Sequence, residues 1–371
     1  MADLQDELDT ITEAVGGLAP ALEPPPRSED TAPDAATDAL DRARSFLAGH
    51  PVAVGYTGVP WALRHLPRYD VEFGEGTGNA DVPRLREGYV GALFWSLHLP
   101  GEPTGDRAAQ ATLDRLDLVL TAVRAHREGL RLADDAAQIT DLRNRSRVSV
   151  VIGPAGACAL GDSLGVLRIL RALGLRLLTL SGVSWAGDDG LTRFGEEVVR
   201  EMDRLGVLPD LSGASAATVH RTIRLSRAPV VFTRSGARAL RPHPVNLPDD
   251  VLVELGRAQG LCLVPLAPEQ TGPSVRDVAD HLDHVRELAG PECVGLSGAY
   301  DSGAAQTSDL ADASSYPPLI AELLVRGWTE ADLSLLTWGN VQRVLRTADF
   351  TARAAQQSRG PSMAKITDLE G

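Results

Sequence analysis

Eight histidines and three cysteines supply the bases and nucleophiles of this 371-residue chain, because its one lysine, Lys365, lies in the C-terminal tail and offers no core amine for a Schiff base. Cys158 stands just before a helical pattern, where the helix dipole would favour a thiolate; it is a candidate nucleophile or, beside Ala and Gly, a small packing residue. Cys262 and Cys293 read as core residues, and no close spacing links the three into a disulfide framework or a zinc ribbon. General bases are most often histidines. His50, His65, His98 and His126 fall on loops or helix ends, His220 on a helix, and His281 with His284 form an i, i+3 pair that reads as a helix surface. His243, in Arg241-Pro242-His243-Pro244, reads as the only histidine on a loop after a barrel strand near the expected site and is a weak candidate base. No Ser, His and Asp are spaced as in a nucleophile elbow, no GxGxxG follows a strand, and a phosphate loop ending in Lys is excluded.

These residues are carried by a regular alternation. Short apolar, β-branched runs occur at 52–54, 89–94, 148–152, 175–180, 207–211, 230–232, 261–264 and 294–296. Helical patterns fill most of the gaps, at 112–126, 164–173, 193–205, 216–225, 249–258, 275–289 and 316–326. Strand alternating with helix implies parallel pairing with helices outside. Eight strands over this length predict an α/β TIM barrel as a single domain, whose chemistry collects at the C-terminal strand ends.

Composition sets the limits. Thirty-six Lys and Arg against 50 Asp and Glu give a net charge of −14, and 43% hydrophobic residues provide for a sizeable core. The acidic balance argues against nucleic acid and anionic membrane surfaces as partners. Residues 1–44 carry −8 of that charge and include Pro24-Pro25-Pro26. Three segments are expected: an acidic, partly disordered arm over 1–47, the barrel over 48–352 and a frayed polar tail over 353–371. Leu4, Leu8, Ile11, Val15 and Leu18 recur at helical spacing, so 1–18 form an amphipathic helix if the arm folds on a partner. No stretch approaches the roughly 20 apolar residues of a membrane span, and a reducing cytoplasm is the expected location.

Several motifs carry a resemblance. Val59-Pro60-Trp61-Ala62-Leu63-Arg64, the run from Asp81-Val82-Pro83 to Phe94-Trp95-Ser96, Asp162-Ser163-Leu164-Gly165, Phe194-Gly195-Glu196-Glu197, Asn246-Leu247-Pro248-Asp249 and Gly339-Asn340-Val341-Gln342 follow one another in register. The chain from about residue 50 to 350 thereby resembles the membrane (renal) dipeptidase family of zinc TIM-barrel peptidases. The resemblance implies a two-zinc site at the strand ends, built from a His-x-Asp pair, a bridging Glu and two further His, with an Asp and an Arg serving catalysis and substrate. Every one of those positions is replaced here. The His-x-Asp pair falls on Tyr56-Thr57-Gly58, the glutamate on Ala155, the substrate-side histidine on Gly182, the metal histidines on Gly213 and Arg234, the arginine on Val245 and the aspartate on Ala299.

Tyr56, Gly58, Ala155, Gly213 and Arg234 cannot assemble two zinc ions, and Arg234 places a permanent cation where a dication would sit. No metal and no cofactor are expected, and zinc dipeptidase activity is expected to be absent. Tyr56 and Arg234, with Arg238 and Arg241, are candidates to bind a small peptide-like or anionic ligand; alternatively Arg234 fills the void and pairs with Asp210 or Asp301. Asp210 and Asp301 read as loop-orienting residues, and Tyr56, Arg234, Cys158, His243 and Asp301 are the weak catalytic candidates. Two functions stay open: a pseudoenzyme acting as a binding or partner subunit, as a homodimer or with an active relative, or a repurposed metal-independent enzyme on a small peptide or amino-acid-derived substrate. Arginine-rich, lysine-poor usage suggests a GC-rich genome, where the second would fit specialised metabolism.

Overall fold

The computed structural model describes residues 32–66, 69–74, 76–98 and 105–370. The proposed helix over 1–18 lies outside them. By internal contacts the chain divides into Met1–Asp38 and Ala39–Gly371. Helix Ala32–Gly49 opens the described chain, and in the larger unit its Ala43, Phe46 and Leu47 are buried in the core.

All eight expected strands are present. β1 (Val52–Thr57) pairs in parallel with β2 (Val90–Trp95), and β2 with β4 (Val148–Ile152), which a short β3 (Leu130–Leu132) flanks. The chain continues from β4 into β5 (Ala155–Gly156), which pairs with β6 (Leu177–Thr179), and a parallel bridge joins Ile152 to Leu175. A small antiparallel hairpin, β7 (Ala186–Gly187) and β8 (Gly190–Leu191), stands apart. From β6 the ladder passes to β9 (Leu208–Asp210), β10 (Val231–Phe232), β11 (Leu261–Pro265) and β12 (Val294–Ser297), which returns to β1. Because β4 and β5 are one run of chain, the ring of eight closes. β1, β4 and β11 are buried at every residue, as strands covered on both faces must be.

Helices Arg193–Leu205, Ala216–Leu225 and Val275–Ala289 fall where the periodicity places them. Thr192, Ser215 and Ser274 cap their first turns through side-chain oxygens. Along the strands, alternate side chains separate into two clusters: Val52, Val54, Leu93 and Trp95 belong to the larger, Ala53, Phe94, Val151 and Leu263 to the smaller. The smaller also takes Trp338, Val341 and Leu345 from helix Asn340–Ser358 and its approach.

The tail differs from expectation. Beyond helix Asn340–Ser358 it docks: Arg168 donates to the Ser362 carbonyl at 2.9 Å, Phe194 N–H to Glu370 at 2.7 Å, and Ala364, Ile366 and Leu369 pack on the core. Beneath it, the buried Glu201 carboxylate accepts from Arg168 and Arg204 at 2.8–3.0 Å. Among the described residues, no helix is long and apolar enough to cross a membrane.

Candidate functional site

Tyr56 is the penultimate residue of the buried strand β1 and is itself only 2% exposed, while Arg234 stands two residues beyond β10. The two meet across the barrel mouth. The Arg234 guanidinium lies 4.9 Å from the Tyr56 ring centroid and donates to its hydroxyl at 2.9 Å; that hydroxyl donates onward to the His98 carbonyl at 3.3 Å. The main chain of Arg234 is held from both sides. Its N–H donates to Ser212 Oγ at 3.3 Å, and its carbonyl accepts from Gln270 Nε2 at 3.1 Å.

The anchor below is Asp210. Its buried carboxylate accepts from the Thr179 and Thr233 hydroxyls, from Ser212 through both N–H and hydroxyl, and from the Thr233 N–H, at 2.6–3.2 Å. Buried Asn246 ties the loop that follows: it accepts from Gly236 N–H at 2.8 Å and donates to the Arg241 and Gln270 carbonyls. Together these contacts fix the Arg234 backbone before any ligand arrives.

Above the stack opens a cavity of about 540 Å³. Tyr56, Arg234 and His243 line it together with the apolar Trp61, Val245, Ala299 and Ala304; Glu269 stands at its exposed edge. His243 Nδ1 accepts from the Val245 N–H at 3.3 Å, which leaves the proton of the neutral ring on Nε2. The geometry suits recognition of an anion by a positioned guanidinium, with a phenol and an imidazole on the same walls.

The other candidates lie elsewhere. Arg238 donates to the Asn246 and Pro244 carbonyls of its own loop and Arg241 to the Glu269 carbonyl, so both brace the backbone and neither lines the cavity. Asp210 is engaged by its hydroxyl and amide donors, not as a ligand contact. Asp301 accepts from Tyr69 Oη and Asn79 N–H, each at 2.8 Å; burial raises its pKa and that of Tyr69. Cys158 sits half-buried in the 3-10 turn Ala157–Leu160 and does not line the cavity. Burial pushes the Cys262 and Cys293 thiols up, which suits packing residues.

Two histidines need correcting. His98 follows β2, so His243 does not stand alone beside the mouth: His98 is linked to Tyr56 through its own carbonyl, and burial and the nearby Arg234 lower its pKa to about 4. A single histidine among loop residues carried no signal of this. His281 is not on a surface; it is 2% exposed, its Nδ1 accepts from Ala237 N–H at 2.8 Å, and burial lowers its pKa to about 4. Both rings are thus favoured neutral in the fold. An ordinary histidine titrates near 6.5, so the unfolded chain binds more protons between about 6.5 and 4, and stability present above pH 6.5 is lost as pH falls. The loss is on the order of 2 kcal/mol for each ring. Urea midpoints measured from pH 7 to 4.5 should fall more steeply for the parent than for His98→Asn/His281→Asn; parallel profiles would count against buried neutral rings.

Of the positions that the resemblance assigns to metal and substrate, Gly58 follows β1, Ala155 follows β4, Gly182 follows β6 and Gly213 follows β9, all at the C-terminal strand ends. A β-carbon built on Gly58 would lie 2.2 Å from the Asp301 carbonyl oxygen and 2.5 Å from Ser302 Cα. Ala155 is fully buried in β5, and Gly182 and Gly213 take left-handed backbone, φ 71° and 77°. Among the described residues, no group of three or more His, Cys, Asp or Glu is placed to hold a metal ion.

Comparison with known proteins agrees on one family. Residues 40–359 match the family model described as membrane dipeptidase, peptidase family M19. Dipeptidase 3 of Mus musculus is 36% identical over 349 residues, covering 88% of this chain and 69% of that protein. Dipeptidase aclJ of Aspergillus oryzae is 36% identical over 302 residues, 75% of this chain and 72% of its own. Among solved structures, the probable dipeptidase PvdM from Pseudomonas aeruginosa superposes with a TM-score of 0.76 at 20% identity, over 85% of this chain and all of that one. A metallopeptidase from Rhodobacter sphaeroides, liganded with a phosphinate mimic of the dipeptide L-Ala-D-Ala, gives 0.72 at 26% identity, over 81% and 99%.

Proposed function

The chain belongs to the membrane dipeptidase family, peptidase family M19, and from that premise we propose that it is a metal-free member, without zinc peptidase activity, whose cavity binds a small anionic ligand. The observation that carries this reading is the Arg234 guanidinium stacked on Tyr56 at the strand ends. A guanidinium stays protonated at any working pH and repels a dication at that spot. The donor set points the same way: phenol, guanidinium, methyl and bare backbone replace the imidazoles and carboxylates that zinc requires. The residues present therefore do not fit a dinuclear zinc centre. The relatives named dipeptidases and the liganded metallopeptidase lend this chain a peptide-sized cavity and not their chemistry.

As a pseudoenzyme the protein acts as a binding or partner subunit. The test is titration of the full chain with a small carboxylate beside Arg234→Met. A charge-assisted hydrogen-bonded contact is worth about 1.5–3 kcal/mol, so the variant should bind roughly 10- to 100-fold more weakly. Equal affinity would remove Arg234 from the site. A second reading, a metal-independent enzyme on an amino-acid-derived substrate, is favoured by one observation: Tyr56, Arg234 and His243 reach one open cavity instead of plugging it. Turnover that survives chelation and is lost in both Tyr56→Phe and His243→Asn would select it.

A further inference from the structure

We infer that the protein has a second ligand site, at the opposite end of the barrel from Arg234, and that it takes a small organic phosphate. At the N-terminal ends of β1, β2 and β4 a cavity of about 360 Å³ is lined by Arg86, Arg143 and Arg147, and no acid is among the described residues that line it. In a chain of net charge −14 this is a local excess of positive charge. Arg147 is neutralised by the exposed Glu128 carboxylate at 2.8 Å. Arg143 is held without an acid: it donates to the Gly49 carbonyl and lies 5.3 Å from the Trp338 ring centroid. Arg86 makes no ion pair or side-chain hydrogen bond with any described residue.

Helix capping does not use up these two cations. Arg86 and Arg143 stand in the last turns of helices Val82–Glu87 and Ala136–Asn144, where a cation offsets the helix dipole. The end carbonyls are already met by main-chain donors: Gly88 and Tyr89 N–H serve Arg84 and Arg86, while Arg145, Ser146 and Arg147 N–H serve Leu142 and Arg143. The residue beyond each end is also unusual. Tyr89 and Ser146 take left-handed backbone, φ 57° and 53°, where glycine would carry less strain, and both keep a side chain that lines the cavity. A phenol ring and a hydroxyl thus stand beside two guanidinium groups that no carboxylate neutralises. Two positive charges match the roughly −1.5 to −2 of a phosphate monoester at neutral pH better than the single charge of a carboxylate. The buried Leu47, Val90 and Val148 give an organic body an apolar wall, in a volume within the range of small-molecule sites.

Calorimetric titration of the full chain with phenyl phosphate, benzoate and inorganic phosphate tests this. Phenyl phosphate should bind roughly tenfold or more tightly than either of the others. Arg86→Met and Arg143→Met should each weaken it roughly 10- to 100-fold, the loss of one charge-assisted contact. If Arg143→Met lowers the melting temperature by uncovering Trp338, Arg86→Met, which breaks no side-chain contact, carries the test. Ser146→Gly should bind phenyl phosphate more weakly while its melting temperature holds or rises, a split that a merely structural serine would not give. No saturable binding of phenyl phosphate, or binding that both arginine variants leave unchanged, would overturn the inference. Benzoate binding as tightly would overturn the dianion, and inorganic phosphate binding as tightly would overturn the organic body. Binding lost in Arg234→Met and kept in Arg86→Met and Arg143→Met would place the phosphate at the mouth, overturning the second site and leaving the anion reading there standing.

Discussion

Replacing Gly58 with alanine is expected to cost about 3 kcal/mol or more, measured as the shift in urea unfolding free energy. The added methyl would stand 2.2 Å from the Asp301 carbonyl oxygen, a backbone atom that cannot swing aside as a side-chain tip can. The turn carrying it is pinned on three counts. Asp301 and Ala299 take left-handed backbone, φ 57° and 52°; the Asp301 carboxylate is held by Tyr69 and Asn79; and Gly58 N–H donates to the Tyr300 carbonyl at 2.7 Å. Position 58 is also where the resemblance places the family's aspartate ligand. Restoring that aspartate, even with histidine at 56 and 234, should therefore destabilise the barrel before it recruits metal. A Gly58→Ala protein within 0.5 kcal/mol of the parent would show that the turn yields.

Asp210→Ala is expected to rank beside it, at about 3 kcal/mol or more, since a group of buried donors on Thr179, Ser212 and Thr233 would lose one shared acceptor. The same change should reach the ligand. Ser212 Oγ accepts from the Arg234 N–H, so releasing Ser212 loosens the backbone that aims the guanidinium at Tyr56. Binding of a small carboxylate should weaken even under conditions where Asp210→Ala stays folded. Asp210→Asn, which keeps one acceptor oxygen, should fall between. An alanine variant of parental stability would mean that the hydroxyls rotate to other acceptors at little cost.

The barrel was legible because its strands are continuous apolar runs, buried on both faces, and its helices repeat with a 3.6-residue period between them. The Leu130–Leu132 strand and the Ala136–Asn144 helix were not legible: one is three residues long, and the other is mostly polar on a partly exposed surface. Of the site, Tyr56 and Arg234 could be picked out because the resemblance places metal-ligand positions on them, and His243 by its place on a loop. His98 and His281 could not, since a histidine's surroundings depend on what distant sequence brings near it: the Arg234 charge for the first, the Ala237 N–H for the second. Arg238 and Arg241 look like a clamp in one dimension, yet each spends its donors on loop carbonyls. The tail misled for a similar reason, because Arg168, Phe194 and the buried Glu201 provide docking points far upstream.

The proposed loss of zinc chemistry can be measured directly. The full chain, purified without chelator and then incubated with excess zinc, would be assayed for bound metal and for hydrolysis of dipeptides. The expected result is no stoichiometric zinc and no cleavage above a protein-free control. Two tightly held equivalents of zinc together with dipeptide hydrolysis would contradict it.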